Sequence, residues 1–312
     1  MKAGKYDGEG GRSPQWWPSR YGAEDTLGAG NELTQERTLA ALKIPTEGRV
    51  VTIAQTVEAG APLPPPRQFH MVLLAHGTME PTSPRGSQVT GFEEQVTQSY
   101  HAGCHLDGLG HAGINGHFYN GVHFSEFYTS TGLTTFGMEG VRPWVTRGVC
   151  LDIAALENTE VLDAGFVVTP EHLEAAQERQ DVKVDAGDAV LLHTGWGRYW
   201  LEDARYGEAE PGPGWDAVHW LTDRRVSLVA ADNWAFEVIP FEDPNRAFVC
   251  HQHLLAETGT YIVENINTYE LVSGGYSQFL FMMAPNKTKG ATGSMVSPLC
   301  IVQAGRSAIS FC

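Results

Sequence analysis

The sequence predicts a single mixed α/β domain, and three observations carry that prediction. Apolar, β-rich runs of strand length recur along the chain. Segments with helical caps and helical periodicity stand between them. Glycine and proline are frequent, 35 and 17 among 312 residues, which favours many turns over a helical bundle. The strands and helices mix without the regular beat of a doubly wound sheet, so α/β or α+β packing around one core is expected. A chain of this length can fill a large core.

Residues 1–14 read as a flexible lead ahead of one domain over residues 15–312. Thr34 to Ile44 predicts a helix: Thr34 can cap it, Glu36 falls in its first turn, and Leu39, Leu42 and Ile44 form an apolar side. Arg49 to Val57 and His70 to Ala75 predict strands, joined by the stiff GAPLPPP connection at 60–66. Val89 to Tyr100 is a further extended stretch. Gly148 to Ile153, Ala189 to His193 and Val226 to Ala231 are apolar runs of strand length. Pro170 to Gln180 predicts a helix capped by Thr169, with proline at its first position, where the missing N–H costs nothing. Arg246 to Ala256 predicts another helix, and Tyr261 to Ile266 and Gln278 to Met283 predict late strands.

The formal net charge is −16. A strongly acidic surface repels phosphate backbones and anionic lipid, which disfavours nucleic acid and membranes as partners. No apolar run approaches the roughly 20 residues a bilayer requires, and the N-terminus lacks a secretory apolar stretch. The five cysteines (Cys104, Cys150, Cys250, Cys300 and Cys312) are scattered and show no C-x-x-C spacing. That pattern argues against a disulfide framework and a thiolate zinc site, and it fits a reducing, cytoplasmic location.

The chemistry concentrates in HAGCHLDGLGH, residues 101–111. His101, His105, Asp107 and His111 all occupy odd positions, so an extended chain would present them from one face. Two imidazoles and a carboxylate suit Zn²⁺, Mn²⁺ or Fe²⁺, and three protein ligands leave room for water and substrate. His111 is then free to carry a proton. Gly103, Gly108 and Gly110 let the backbone bend around an ion. Isolated histidines more often decorate an exposed strand, but three with an aspartate on one face favour a metal. His117 and His123, in GHFYNGVH, are weaker candidates for a pocket wall. Downstream, CHQHLLAETGTYIVEN brings His251 or His253 toward Glu264 if a short helix turns into a strand. Glu264 would serve as a second-position ligand, with Asp107 bridging, or as a general base. It could equally be a strand-end carboxylate paired with a surface charge.

Other chemistries find little support. No G-x-S-x-G elbow or Walker sequence is present, and Gly28-Ala29-Gly30 lacks the third glycine of a dinucleotide site. Trp196 and Trp234 are expected as apolar anchors, with an aromatic wall for a ring-shaped substrate as the alternative.

HAGCHLDGLGH resembles the H-x-G-T-H-x-D-x-P-x-H signature of the cyclase-like metal hydrolases, which include bacterial kynurenine formamidase and isatin hydrolase. YGAEDTLGAGNELT (21–34), GDAVLLHTGWG (187–197), ADNWAFEVIP (231–240) and HLLAETGTYIVENI (253–266) resemble further landmarks in the same order. Together they span about Trp16 to Pro285. The resemblance implies a swivelling β/β/α fold, usually dimeric or tetrameric with pockets near subunit contacts. It also implies metal ligands at His101, His105 and Asp107, a catalytic His111, and a downstream pair at His251 and Glu264. Formamidases of the family carry two zinc ions. Isatin hydrolase carries one manganese and has Gln at the position of Glu264, so the carboxylate here favours two ions. Two departures stand out. Cys104 replaces the usual Thr and, being even-numbered, should pack away from the metal, with a thiolate ligand as the lesser alternative. Leu109 replaces Pro, which loosens the backbone without removing a ligand.

The expectation is therefore hydrolysis of an amide, lactam or lactone in a small cyclic or aromatic molecule, using one or two Zn²⁺ or Mn²⁺ ions. Two alternatives come from other classes: a mononuclear non-haem iron oxygenase using His101, Asp107 and a distant histidine, and a binding protein whose metal only ties strands together.

Overall fold

The computed structural model describes residues 16–75 and 91–303. The proposed lead at 1–14 lies outside them, as does Cys312. In chain order the strands begin with β1 (Val50–Thr52), β2 (Phe69–Ala75), β3 (Phe92–Gln98), β4 (His105–Asp107), β5 (Tyr128–Thr129) and β6 (Gly132–Leu133). They continue with β7 (Trp144–Asp152), β8 (Val167–Val168), β9 (Ala189–His193), β10 (Gly212–Pro213) and β11 (Leu228–Ala231). The last four are β12 (Tyr261–Glu264), β13 (Gln278–Met283), β14 (Gly293–Met295) and β15 (Leu299–Val302). The helices are α1 (Gln35–Ala41), α2 (Phe124–Phe127), α3 (Pro170–Gln180), α4 (Trp215–Asp223), α5 (Val249–His251) and α6 (Tyr269–Ser273).

Nine strands form one sheet in the order β1-β15-β13-β7-β9-β11-β12-β4-β14. The centre, β7-β9-β11-β12, is parallel, and both flanks are antiparallel. Composition explains the centre: AVLLH in β9, LVAA in β11 and YIVE in β12 are buried at every position. Continuous apolar runs of this kind suit strands covered on both faces.

Helices cover that centre. α3 keeps the predicted boundaries: Thr169 donates its backbone N–H to His172 Nδ1 at 3.0 Å, and the helix stops at the left-handed Asp181. α4 was not predicted; it buries Ala217, Val218, Trp220 and Leu221. α1 starts where expected, with Thr34 Oγ1 accepting from the Arg37 N–H at 3.3 Å. The segment read as a strand over Arg49 to Val57 is ordered as strand only over Val50–Thr52, because its partner β15 is short. Arg246 to Ala256 is helical only from Val249, and there it widens into a π-helix over Gln252–Thr258.

Two departures from sequence expectation matter for chemistry. The extended run proposed through His101, His105, Asp107 and His111 is a strand only over His105–Asp107. His101 lies in the turn before it and His111 in the turn after it, where the His111 N–H donates to Gly108 O at 2.9 Å. Gly28 and Gly30 form no nucleotide loop. Gly28 instead packs against Gly259, whose left-handed backbone (φ 69°) ends the π-helix, and the Ala29 N–H donates to Gly259 O at 2.8 Å. A Cβ at Gly28 would meet the Gly259 backbone, so this contact requires glycine. The N-terminal landmark thus braces the helix that carries His251.

Candidate metal centre

Sheet register builds the site. β4 lies antiparallel between β12 and β14. His105 and Asp107 are two residues apart, so they share a face. Glu264 sits directly opposite His105, and directly opposed residues share that face as well. Opposite Asp107 on the other side is Gly293, where any Cβ would meet the His101 ring. That missing side chain lets the turn fold His101 back over the strand.

Six predicted residues meet here. His101 Nδ1 lies 2.7 Å from Asp107 Oδ1, and His101 Nε2 lies 3.0 Å from Thr292 Oγ1. His105 Nε2 stands 3.0 Å from Glu264 Oε2 and 3.5 Å from Asp107 Oδ1. His251 Nε2 stands 3.1 Å from Glu264 Oε1 and 3.7 Å from Asp107 Oδ2. His111 completes the rim: its ring stacks on His101 at 4.0 Å, and its Nε2 is 3.9 Å from Asp107 Oδ2. Their donor atoms fall into two groups able to hold an ion, one of His101, Asp107 and His111 and one of His105, Asp107 and Glu264. Asp107 belongs to both. The grouping differs from the expected trio of His101, His105 and Asp107, because cross-strand pairing places His105 with Glu264.

The choice between His251 and His253 is resolved. His251 joins the cluster, whereas His253 faces Glu257 Oε2 at 2.7 Å and Thr222 Oγ1 at 2.9 Å. His117 and His123 do not join it. His117 stacks on Trp17 at 5.4 Å, and His123 contacts Ser125 Oγ at 2.8 Å. Cys104 packs in the main core and belongs to neither donor group, and burial pushes its thiol well above the ordinary range. Trp196 is a buried anchor of a small satellite cluster with Trp200 and Tyr206, and Trp234 packs at its edge.

The cluster is electrostatically unusual. Asp107 and Glu264 are fully buried, and burial opposes their charge. The facing imidazoles of His111, His101 and His251 nevertheless hold Asp107 well below the usual carboxylate range. Glu264 is also held below its ordinary value, because the facing imidazoles of His105 and His251 outweigh burial and the nearby Asp107. His251 is raised well above its ordinary value, because Asp107, Glu237 and Glu264 outweigh its burial. His111 is pushed down to about 4 by burial and by repulsion from His101 and His251, so it is neutral at pH 7.

A divalent cation fits this donor set. His105 Nε2, Asp107 Oδ2 and Glu264 Oε2 are buried and make no hydrogen bond within the protein. The 3.0 Å approach of His105 to Glu264 is close, yet its angles are not those of a hydrogen bond. Buried polar atoms are normally paired. Three such orphans of ligand type gathered in one cluster fit a bound ion.

Sequence reading missed four neighbours. Arg67 places its guanidinium 3.6 Å from Glu264 Oε2. Thr292 contacts His101, and Asn265 donates to Gly103 O at 2.9 Å, the carbonyl that also meets His105 Nδ1 at 2.7 Å. Glu237 contacts His251. Glu237 and Asn265 lie in segments marked by resemblance, ADNWAFEVIP and HLLAETGTYIVENI, but neither was read as part of the site, and Arg67 and Thr292 carry no metal-site spacing.

A family model described as "Putative cyclase" matches residues 37–238. It therefore includes the histidine cluster at 101–111 and stops before His251 and Glu264. Among solved structures, one described as a novel cyclase is 28% identical, with a TM-score of 0.82, over 90% of this chain and 95% of its own. Isatin hydrolase A from Ralstonia solanacearum is 21% identical, with a TM-score of 0.62, over 84% and 93%. A potential metal-dependent hydrolase with cyclase activity is 17% identical, with a TM-score of 0.53, over 81% and 98%. No curated protein matches the chain.

Proposed function

The chain belongs to the cyclase family, and from that premise we propose that it is a metal-dependent hydrolase of an amide, lactam or lactone bond in a small cyclic or aromatic molecule. The observation that carries this reading is the convergence of three unpaired buried atoms from His105, Asp107 and Glu264. Its structural neighbours, an isatin hydrolase and a potential metal-dependent hydrolase, support the same class. His101, His105, Asp107, His251 and Glu264 are the residues that would hold one or two divalent ions, Zn²⁺ or Mn²⁺. When bound, such an ion supplies Lewis acidity and brings the ionisation of water to around neutral pH.

The residues do the rest. Asp107 and Glu264, ionised at neutral pH, provide the negative charge that a cation needs. Glu264 can also orient the attacking water as a base. Arg67 adds a positive charge at the edge of the cluster, 3.6 Å from Glu264 Oε2. His111, neutral and partly exposed at the rim, takes the proton of the attacking water and returns it to the departing nitrogen or oxygen.

The partner is a small molecule, in keeping with the acidic net charge of −16. No helix among the described residues is long and apolar enough to cross a membrane. A reducing, cytoplasmic setting suits the four free buried thiols of Cys104, Cys150, Cys250 and Cys300. A homodimer or homotetramer is supported by the β2–β3 hairpin, which leaves Met71 59% and Leu73 60% exposed, more apolar surface than an isolated ribbon usually shows to water. Light scattering on the purified protein checks that point.

The functional test pairs elemental analysis with a screen of formyl-anilines, isatins and lactones on protein loaded with Zn²⁺ or Mn²⁺ under nitrogen. Hydrolysis without oxygen is expected. A protein that binds neither ion, or that turns over only with Fe²⁺ and oxygen, would refute the proposal.

A further inference from the structure

Outside the cluster itself, one buried carboxylate touches it. Glu237 follows Phe236, whose backbone is left-handed (φ 57°), in the segment after β11, and its side chain is 2% exposed. Its Oε1 accepts from the His251 backbone N–H at 3.0 Å and faces His251 Nδ1 at 2.7 Å. Its Oε2 accepts from the Cys250 N–H at 3.3 Å.

The consequence for His251 is directional. A carboxylate can only accept, so Nδ1 must carry the hydrogen and Nε2 is left to face Asp107 and Glu264. Two further contacts fix the backbone from which the ring hangs. The other rings are held differently: His105 Nδ1 faces the Gly103 carbonyl, and His101 contacts Asp107 and Thr292. Among the described residues, His251 alone of these rings has a carboxylate from outside the donor set. A charged acceptor behind an imidazole strengthens the ring as a ligand as well as orienting it.

We propose that Glu237 is a positioning residue, which fixes His251 with Nε2 toward the ion and strengthens its hold on a divalent cation shared with Asp107 and Glu264. This rests on the reading above that the cluster holds such an ion.

The test is a Zn²⁺ titration against a chromophoric chelator, on wild type, Glu237→Gln, His251→Ala and the double variant. Gln keeps the volume and one acceptor while losing the charge. Glu237→Gln should lower Zn²⁺ affinity about 10- to 100-fold. On the His251→Ala background the same change should cost less than about 2-fold, because residues that act through one another are not additive. Unchanged affinity in Glu237→Gln would overturn the proposal. So would an equal loss on both backgrounds, since that marks a general packing effect. If wild type binds no Zn²⁺, the metal reading fails and this inference fails with it. Metal uptake by wild type together with an indifferent Glu237→Gln sinks the inference alone.

Discussion

Two buried histidine–carboxylate clusters lie at the ends of neighbouring strands of one sheet, and they differ in one respect. At the ends of β9 and β11, Asp232 accepts from Thr194 N–H (3.0 Å), Thr194 Oγ1 (2.5 Å), Gly195 N–H (2.9 Å) and Thr268 Oγ1 (3.2 Å). His193 Nδ1 faces Thr268 Oγ1 at 2.7 Å and lies 3.4 Å from Asp232 Oδ2. Neither carboxylate oxygen of Asp232 is left without a partner. At β4 and β12, by contrast, Asp107, Glu264 and His105 each keep a buried atom with none. Both clusters combine imidazole with carboxylate, and Asp232, like Asp107 and Glu264, is buried. A closed network fastens the protein to itself, and an open one is completed by something else. The presence of histidine and aspartate therefore does not mark a metal site; the unpaired atoms do.

The largest way to break this contrast is to remove the carboxylate at its centre. Asp107→Ala should abolish metal uptake and detectable turnover together, read by elemental analysis beside the activity assay. Retained metal would show that the orphan atoms do not serve an ion. His111→Ala should leave metal content unchanged and lower turnover by about 100- to 10,000-fold; full turnover would remove His111 from the mechanism. Asp232→Ala should do the opposite. It should destabilise the fold by about 3 kcal/mol in denaturant unfolding, because it strands His193 and several donors, while metal content stays intact. Loss of metal in that variant would mean that the closed cluster also serves the site.

The smallest effect is a pH dependence. Burial alone would lower the His193 pKa, but the hydrogen bond and charge of Asp232 raise it above the ordinary 6.5. Its stabilisation is therefore full below pH 6.5 and fades as pH rises through the raised folded value. Asp232 is held below the ordinary 3.8, chiefly by His193 and Thr194 working against burial. Its stabilisation is present above that value and fades as pH falls through the lowered one. The stability gap between wild type and Asp232→Ala should thus be widest from about pH 4 to 6.5. A gap that does not vary with pH would place the interaction outside this pair.

Much of the architecture was legible because its causes are local. Thr169-Pro170 starts a helix through capping and a fixed φ, so α3 was delimited correctly. AVLLH and QFLFMM are apolar and compact enough to be strands with no help from context. α4 went unread because its WDAVHWLTD follows a Pro–Gly run and begins with a bulky aromatic. Its helical state comes from burying Val218, Trp220 and Leu221 on neighbours far away in sequence. The π-helix over Gln252–Thr258 was also invisible, since its wider turn leaves no periodic trace in the sequence.

At the site, the sequence alone determined which side chains would be involved on the short segment: His101, His105, Asp107 and His111 lie within eleven residues, and their types name the chemistry. It did not determine the partnership. Odd-numbered spacing suggested one extended face, but only His105 and Asp107 share a strand. Tertiary structure selected Glu264 by antiparallel register, His251 over His253 by helix phase, and Arg67, Glu237 and Thr292 by proximity. The physical reason is range. Residue type and pattern act over a few positions, whereas a cluster of buried charges is assembled from strands more than 150 residues apart, and only the sheet decides which of them meet.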